Sequence, residues 1–405
     1  MTVTTSDFSR RRLLVAVASL PVATGLRAQA ASDWSRIEQA ARGQTVYFNA
    51  WAGSERINAY LQWAAGEVEK RHGVKVEHVK VSDTAEVVKR VRAEKQAGRS
   101  RDGSVDLVWI NGENFLTMKR EGLLFGPFAE SLPNFALVDT VGKPTTRVDF
   151  SEPVAGMEAA WGMAQLTFYA DGKKVLQPPL SMAELIAFAA RNPGRVTYPK
   201  PPNFHGTTFL KQLLLESVPD RKVFDAPAPA GDEALRLTAP LWSALDRLHP
   251  TLWRGGKQFP ASNVVMRQML ADGELLINLT FNPNEAATEI AAKRLSDSVV
   301  SWQPAAGSLG NTHFLAIAFN ARAKEGAQVL ANFLQSPLAQ ARKADIRVWG
   351  DPTVLAVERL PAAEQALFTQ SSAPGMVGKA VPAWPEPHAS WVPVIEREWL
   401  RRHGQ

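Results

Sequence analysis

Cysteine is absent from all 405 residues, which excludes disulfides, thiolate nucleophiles and Cys-based zinc or iron–sulfur sites. Stability must come from packing, and a chain without thiols can be exported already folded, with no oxidative maturation. Histidine is sparse: His72, His78, His205, His249, His313, His388 and His403 never fall at zinc-ligand spacing, so neither a metal nor another cofactor is expected. There is no G-x-S-x-G elbow, no Gly-rich phosphate loop ending in Lys-Ser/Thr, and no G-x-G-x-x-G after a strand. Lys and Arg never form a block interleaved with aromatics, which argues against nucleic acid as a partner. No apolar run reaches the ~20 residues needed to span a bilayer.

What is present is an ordinary globular composition, 45% hydrophobic and 21% charged, over a length that supports two cores. The first thirty residues differ in kind. Arg10-Arg11-Arg12 precedes the apolar run Leu13 to Leu20, followed by Pro21 and Ala28-Gln29-Ala30. These are the n-region, h-region and small-x-small site of an export signal, with cleavage expected near Ala30/Ala31. The arginines sit as in a twin-arginine signal, and a Sec-type signal with extra arginines fits the same residues. Removing residues 1–30 takes Arg10, Arg11, Arg12, Arg27 and Asp7 from totals of 46 basic and 40 acidic residues, leaving 42 and 39. The mature chain is thus only weakly basic.

From Thr45 the pattern alternates strand and helix. Thr45 to Phe48 reads as a strand ending in the loop Asn49 to Ser54, after which Ile57, Tyr60, Leu61, Ala64 and Val68 mark one helical face that Gly73 would end. Val74 to Val81 reads as a second strand, and Asp83-Thr84-Ala85-Glu86 as a capping box opening a helix to about Gly98. Val105 to Ile110 is nearly continuous in apolar residues, as in a strand buried on both faces. Three such units argue a parallel α/β sheet. A second α/β pattern follows: a helix over Met182 to Arg191, a strand over Arg195 to Tyr198, a helix from Thr207, a strand over Leu275 to Phe281, a helix over Asn284 to Arg294 and a strand over Val299 to Trp302. His313 to Phe319 is again extended, with one amphipathic helix expected from Glu325 to about Ala341.

The stretch Val105-Asp106-Leu107-Val108-Trp109-Ile110-Asn111-Gly112-Glu113-Asn114-Phe115, followed by Gly122 to Pro127, resembles the extracellular solute-binding proteins of ATP-binding-cassette importers, in particular their YnjB-type branch. Phe48 to Gly53, Ser82 to Glu86, Trp161-Gly162 with Phe168 to Gly172, and Tyr198 to Phe204 extend the likeness over most of the mature chain. The resemblance implies an α/β, two-lobed periplasmic-binding-protein fold of type II, each lobe a mixed, mostly parallel sheet flanked by helices. Residues 31–160 and 310–405 would form the first lobe and 161–309 the second. The chain would cross between them near 156–170 and 309–317, with the ligand between the lobes. The implied role is capture of a small solute in the periplasm, as a monomer, for delivery to membrane permease subunits. A periplasmic sensor module would use the same fold, and an exported hydrolase stays open because paired carboxylates can be far apart in sequence.

Loops at the carboxyl ends of strands face the crevice in an open α/β sheet, and this places the candidate ligand-binding residues. They are Asn49 and Trp51 after the first strand, Asn111 and Glu113 after the third, Trp161 on the first crossing, Tyr198, Asn203 and Phe204 in the second lobe, and Phe281 and Asn282 after another strand. Trp302, Asn311, His313 and Trp349 complete the set. Each aromatic has core burial as its competing role, Asn111 and Asn282 have helix capping, and Glu113 has the helix dipole. Some binding proteins of this kind hold ferric iron with neighbouring tyrosines, but Tyr47, Tyr60, Tyr169 and Tyr198 are never adjacent. The 12 tryptophans suit a flat cationic heterocycle as well as a sugar, and a thiamine-like or polyamine-like cation is the expected ligand.

Overall fold

The computed structural model describes residues 1–2, 33–368, 373–379 and 381–404; the export signal expected over residues 1–30 lies almost wholly outside the described residues. Strands β3 (Leu107–Ile110), β1 (Thr45–Trp51) and β2 (Lys75–Val81) form a parallel end of the larger sheet, with β2 at its edge. The helix Glu55–His72 buries Ile57, Tyr60, Leu61, Ala64 and Val68, the face expected from their spacing. It stops at Gly73, whose φ of 66° is left-handed, a conformation open to glycine without cost. Asp83 caps the helix Thr84–Gln96 by accepting from the Ala85 N–H, but the reciprocal arm is absent: Glu86 takes its hydrogen bond from Ser82 Oγ instead. β3 starts two residues later than expected. The reason is Asp106, fully buried, whose carboxylate accepts from the backbone N–H groups of Tyr47, Arg322 and Ala323.

Beyond the short β4 (Leu124–Phe125) and the hairpin of β5 (Val148–Asp149) with β6 (Glu152–Pro153), the long β7 (Glu158–Gln165) leads directly into β8 (Thr167–Asp171). β8 is the centre of a second sheet, flanked by β9 (Asn278–Thr280) and β10 (Val299–Trp302), both antiparallel to it. The mostly parallel arrangement expected for each lobe therefore holds for the β3–β1–β2 end of the first sheet and not for the second. β11 (Ser308–Ala318) returns to the larger sheet, antiparallel to β3, β4 and β7, and parallel to β12 (Ala383–Trp384). Arg195 to Tyr198, expected as a strand, is irregular: its carbonyls accept singly, Val196 from Trp253 and Arg195 from Leu276. The single helix expected from Glu325 is two, Lys324–Leu334 and Pro337–Ala344. Pro337 cannot donate to the preceding turn, and Ser336 caps the new helix from the Ala339 N–H.

Two apolar cores divide the molecule into lobes. One gathers Val46, Phe48, Leu107, Phe115, Trp161, Phe314 and Leu330, the other Leu166, Tyr198, Phe209, Leu241, Trp302 and Trp391. Core membership switches between Trp161 and Ala164 and again between Leu309 and Phe314. It switches a third time, between Leu360 and Trp384, so the C-terminal segment does not stay with the first lobe as expected. The helix Trp391–His403 carries Trp391, Ile395 and Trp399 on one face, all fully buried in the second core. Burying side chains of this size stabilises by about 1.5–3 kcal/mol each, which commits the helix to that lobe.

Candidate functional site

The lobes touch through named contacts. Arg56, in the first turn of the helix after β1, donates to the carbonyls of Arg347 (2.9 Å) and Thr288 (3.2 Å). Asn282 Nδ2 donates to the Trp349 carbonyl (3.2 Å) and Asn284 Nδ2 to that of Gly350 (2.8 Å). Asn282 thus ties the second lobe to the first and, through Oδ1, receives the Asn284 N–H (2.9 Å).

A cluster of charge lies where the lobes and the crossing strands meet. Lys211, on the second-lobe helix Phe204–Ser217, is 1% exposed and ion-paired with Glu386, also 1% exposed, at 2.6 Å. Its ammonium stands 4.3 Å from the ring centre of Phe150, in the first lobe, and 5.9 Å from that of Phe204. Asn311 Nδ2 donates to the other Glu386 oxygen (3.2 Å), while Asn311 Oδ1, buried, has no partner. Beside Asn311 and Glu386 is a cavity of about 150 Å³ lined also by Thr145, Val148, Phe150 and Ser151.

Three further carboxyls feel Lys211. Glu113 opens the helix Gly112–Arg120; burial holds its carboxyl above the ordinary range, Asp83 and Glu386 add to this, and Lys211 opposes it. Gly112 makes that turn at φ 61°, with the Phe150 ring 2.9 Å from where a Cβ would sit, and its N–H donates to Asp149 at 2.6 Å. Asp149 is raised well above its usual value by burial, with Glu113 and Glu386 contributing. Glu396, on the C-terminal helix, is pushed up to about 7 by burial, reinforced by Glu113 and Asp83, despite the hydrogen bond from Thr207 Oγ1 (2.7 Å) and the pull of Lys211. Burial thus raises three carboxyls together at this junction, with Lys211 opposing the shift at each.

Of the residues expected from sequence, Glu113, Asn311, Phe204 and Phe281 fall in or beside this cluster. Phe204 is half-exposed and meets Phe281 edge-on at 5.2 Å, and Phe204 in turn borders Lys211. Asn203 caps their helix through the His205 N–H, and Asn111 holds the cap position of the Gly112–Arg120 helix without a side-chain bond. Trp51 is half-buried at the end of β1, its ring folded over Gly53.

Other expected site residues are structural. Asn49 is fully buried, donating to the Tyr47 carbonyl and accepting from Arg90. Tyr198 is fully buried: its ring stacks on Phe209 at 4.5 Å, its hydroxyl is 2.7 Å from His249 Nε2, and it accepts from Trp399 Nε1 at 2.8 Å. It has no face left for a ligand. Trp302 stacks on Phe168 and donates to the Pro179 carbonyl. Trp161 is fully buried beside Trp109 (5.1 Å) and Trp349 (5.6 Å). His313 bonds Asp351, which is paired with Lys343 at 2.6 Å, in the network behind those rings. Lys211, Glu386, Glu396 and Phe150 were missed. A lysine inside the apolar run Phe209 to Leu215 was the one signal available, because an ammonium there needs a buried partner.

Residues 63–367 match the family model of the bacterial extracellular solute-binding proteins. The chain is 48% identical over 374 residues to protein YnjB of Escherichia coli (strain K12), covering 92% of this chain and 95% of that one. Among solved structures, the periplasmic binding protein AfuA of Actinobacillus pleuropneumoniae, with fructose-6-phosphate bound, is similar at TM-score 0.62 and 13% identity, over 89% of this chain and 99% of that one. The spermidine/putrescine ABC transporter substrate-binding protein PotD of Streptococcus pneumoniae is similar at TM-score 0.57 and 12% identity, over 89% and 97%. One of these neighbours holds a sugar phosphate and the other is named for polyamine transport, so the shared fold leaves the ligand to the side chains. Two lobes in contact, an enclosed polar junction and the family match agree: the chain belongs to the bacterial extracellular solute-binding proteins, the non-enzymatic ligand-capturing components of ABC importers.

Proposed function

We propose that this importer component captures a small organic cation, thiamine-like or polyamine-like, between its lobes. It acts in the periplasm as a monomer and hands the ligand to membrane permease subunits. The observation that carries the reading is the charge at the lobe junction. Glu113, Asp149 and Glu396 are each acted on by Lys211, which is itself ion-paired with Glu386, and exposed Asp83 adds its charge to that felt by Glu113 and Glu396. Burying carboxyls without counter-charge is costly, and a cationic ligand would remove that cost where an anion would add to it. Half-exposed Phe204, which borders Lys211, offers a ring face to the same ligand.

A thermal-shift panel on the purified mature chain tests this. A ligand that binds only the folded state adds about 2.7 kcal/mol at 100 times its dissociation constant. Thiamine or spermidine should raise the melting temperature, and fructose-6-phosphate should not; stabilisation by the anion alone would refute the cation reading. Export by the twin-arginine route predicts that replacing Arg10, Arg11 and Arg12 with lysine leaves precursor in the cytoplasm, and that the exported chain starts near Ala31.

A further inference from the structure

We propose that the cavity beside Asn311 and Glu386 is a subsite for an amino-substituted ring of the solute, whose N–H donates to Asn311 Oδ1. The proposal rests on the cation reading above and selects within it: a ring-bearing, thiamine-like solute rather than a linear polyamine. Asn311 is 3% exposed, lines the cavity and leaves Oδ1 without a partner. Its orientation is fixed, because Nδ2 donates to the Glu386 carboxylate (3.2 Å), which a carboxamide oxygen cannot do. A buried acceptor left unpaired is costly, and a ligand N–H removes that cost. The other polar side chains of the lining are engaged. Glu386 Oε2 lies 2.6 Å from the Lys211 ammonium, Ser151 Oγ donates to the Glu386 carbonyl (2.9 Å), and Thr145 Oγ1 accepts from Thr312 Oγ1 (3.0 Å).

Size and walls point to a ring. The cavity of about 150 Å³ is walled by Pro144, Val148, Phe150 and Pro385, and an apolar cavity of this size takes up a six-membered ring. An ammonium fits poorly: it brings three N–H groups to one free side-chain acceptor, and Lys211 already neutralises the carboxylate that would attract it. A neutral ring has far less hydration to lose, lays its faces on the apolar walls and donates to Asn311.

The backbone of the cavity wall is itself unusual. β5 and β6 are joined by Phe150 and Ser151 alone, a two-residue turn with φ of 44° and 60°. Asn and Gly adopt such turns freely, whereas a bulky side chain at positive φ is strained. That strain secures the position of the Phe150 ring, which lines the cavity, stands 4.3 Å from the Lys211 ammonium and lies 2.9 Å from where a Cβ on Gly112 would sit. Phe150 thereby joins the cavity to the charged junction, so that one solute places its ring in the cavity and its charge among the carboxyls.

The test compares two fragments, 4-aminopyrimidine and 4-methylpyrimidine, which match in shape and differ in the N–H donor, by NMR titration of the mature chain at pH 8. The wild type should bind the amine at least tenfold more tightly, and Asn311→Leu should bring the two within about twofold. Val148→Trp, at a residue 40% exposed and outside the Asn311–Glu386 bond, fills the mouth of the cavity. It should weaken thiamine at least tenfold in calorimetry and leave spermidine within about twofold. Ligand-free melting temperatures report whether each variant folds. Equal or absent binding of the two fragments by the wild type, a preference that survives in Asn311→Leu, or unaltered thiamine affinity in Val148→Trp would overturn the subsite. Spermidine binding more tightly than thiamine would overturn it too, with cation capture left standing. The fragment preference without binding of either thiamine or spermidine would overturn the cation reading and leave the subsite.

Discussion

Replacing Tyr198 with phenylalanine separates a structural aromatic from a ligand-binding one. The hydroxyl lies 2.7 Å from His249 Nε2 and accepts from Trp399 Nε1 at 2.8 Å, and Trp399 is fully buried. Removing one oxygen leaves two polar groups unpaired with no room for water to replace it. Each such group costs about 1–3 kcal/mol, so the variant should lose about 2–6 kcal/mol of folding stability. The ring stacked on Phe209 stays, which keeps the cavity term small. Urea denaturation followed by tryptophan fluorescence reads the loss as a lowered midpoint at unchanged slope. Affinity for spermidine or thiamine, measured where the variant is fully folded, should stay within about twofold of wild type. Weakened binding with an unaltered urea midpoint would refute the core assignment and return Tyr198 to the cleft.

Lys343→Met should destabilise the fold by about 3–5 kcal/mol in the same assay, because it strands Asp351, 2% exposed, with only His313 to balance it. Gly112→Ala should weaken spermidine or thiamine binding tenfold or more in calorimetry, since the φ of 61° and the Phe150 ring force the turn bearing Glu113 to move. His249 is pushed down to about 3 by burial and the neighbouring His403, and His205 to about 4 by burial. Both favour the neutral form when folded, so their contribution is fully present above pH 6.5 and is lost as pH falls from 6.5 toward those values. Relative to wild type, His249→Gln should flatten stability between pH 6 and 4 by up to about 1.4 kcal/mol per unit, read from urea midpoints; an identical slope would remove His249 from the account.

Local rules decided the elements that the sequence made legible. Ile57, Tyr60, Leu61, Ala64 and Val68 fall on one face by spacing alone, and Gly73 supplies the left-handed stop. The helix break at Pro337 was legible too, yet an amphipathic pattern continuing on both sides masked it. Arg195 to Tyr198 has strand composition but takes its bonds one at a time from distant loops, which composition cannot reveal. The C-terminal helix shows why the lobe boundary failed: its Trp391, Ile395 and Trp399 face reads as apolar in sequence, and nothing local says which core receives it. Site aromatics failed for a related reason. Tyr198 owes its role to Trp399, 201 residues away, and a tyrosine with a buried partner looks like any other in sequence. Glu113 was legible as a candidate because it follows a strand in a turn, whereas Glu396 and Glu386 reach the junction only through the third crossing.

The most direct test is a crystal structure of the mature chain with spermidine or thiamine bound, whichever raises the melting temperature more. The account predicts ligand density at the lobe junction, a ligand nitrogen about 3 Å from a carboxyl oxygen of Glu113 or Glu396, and contacts from both lobes. A cation seated against one lobe alone, or away from Glu113, Glu396 and Asn311, would contradict it.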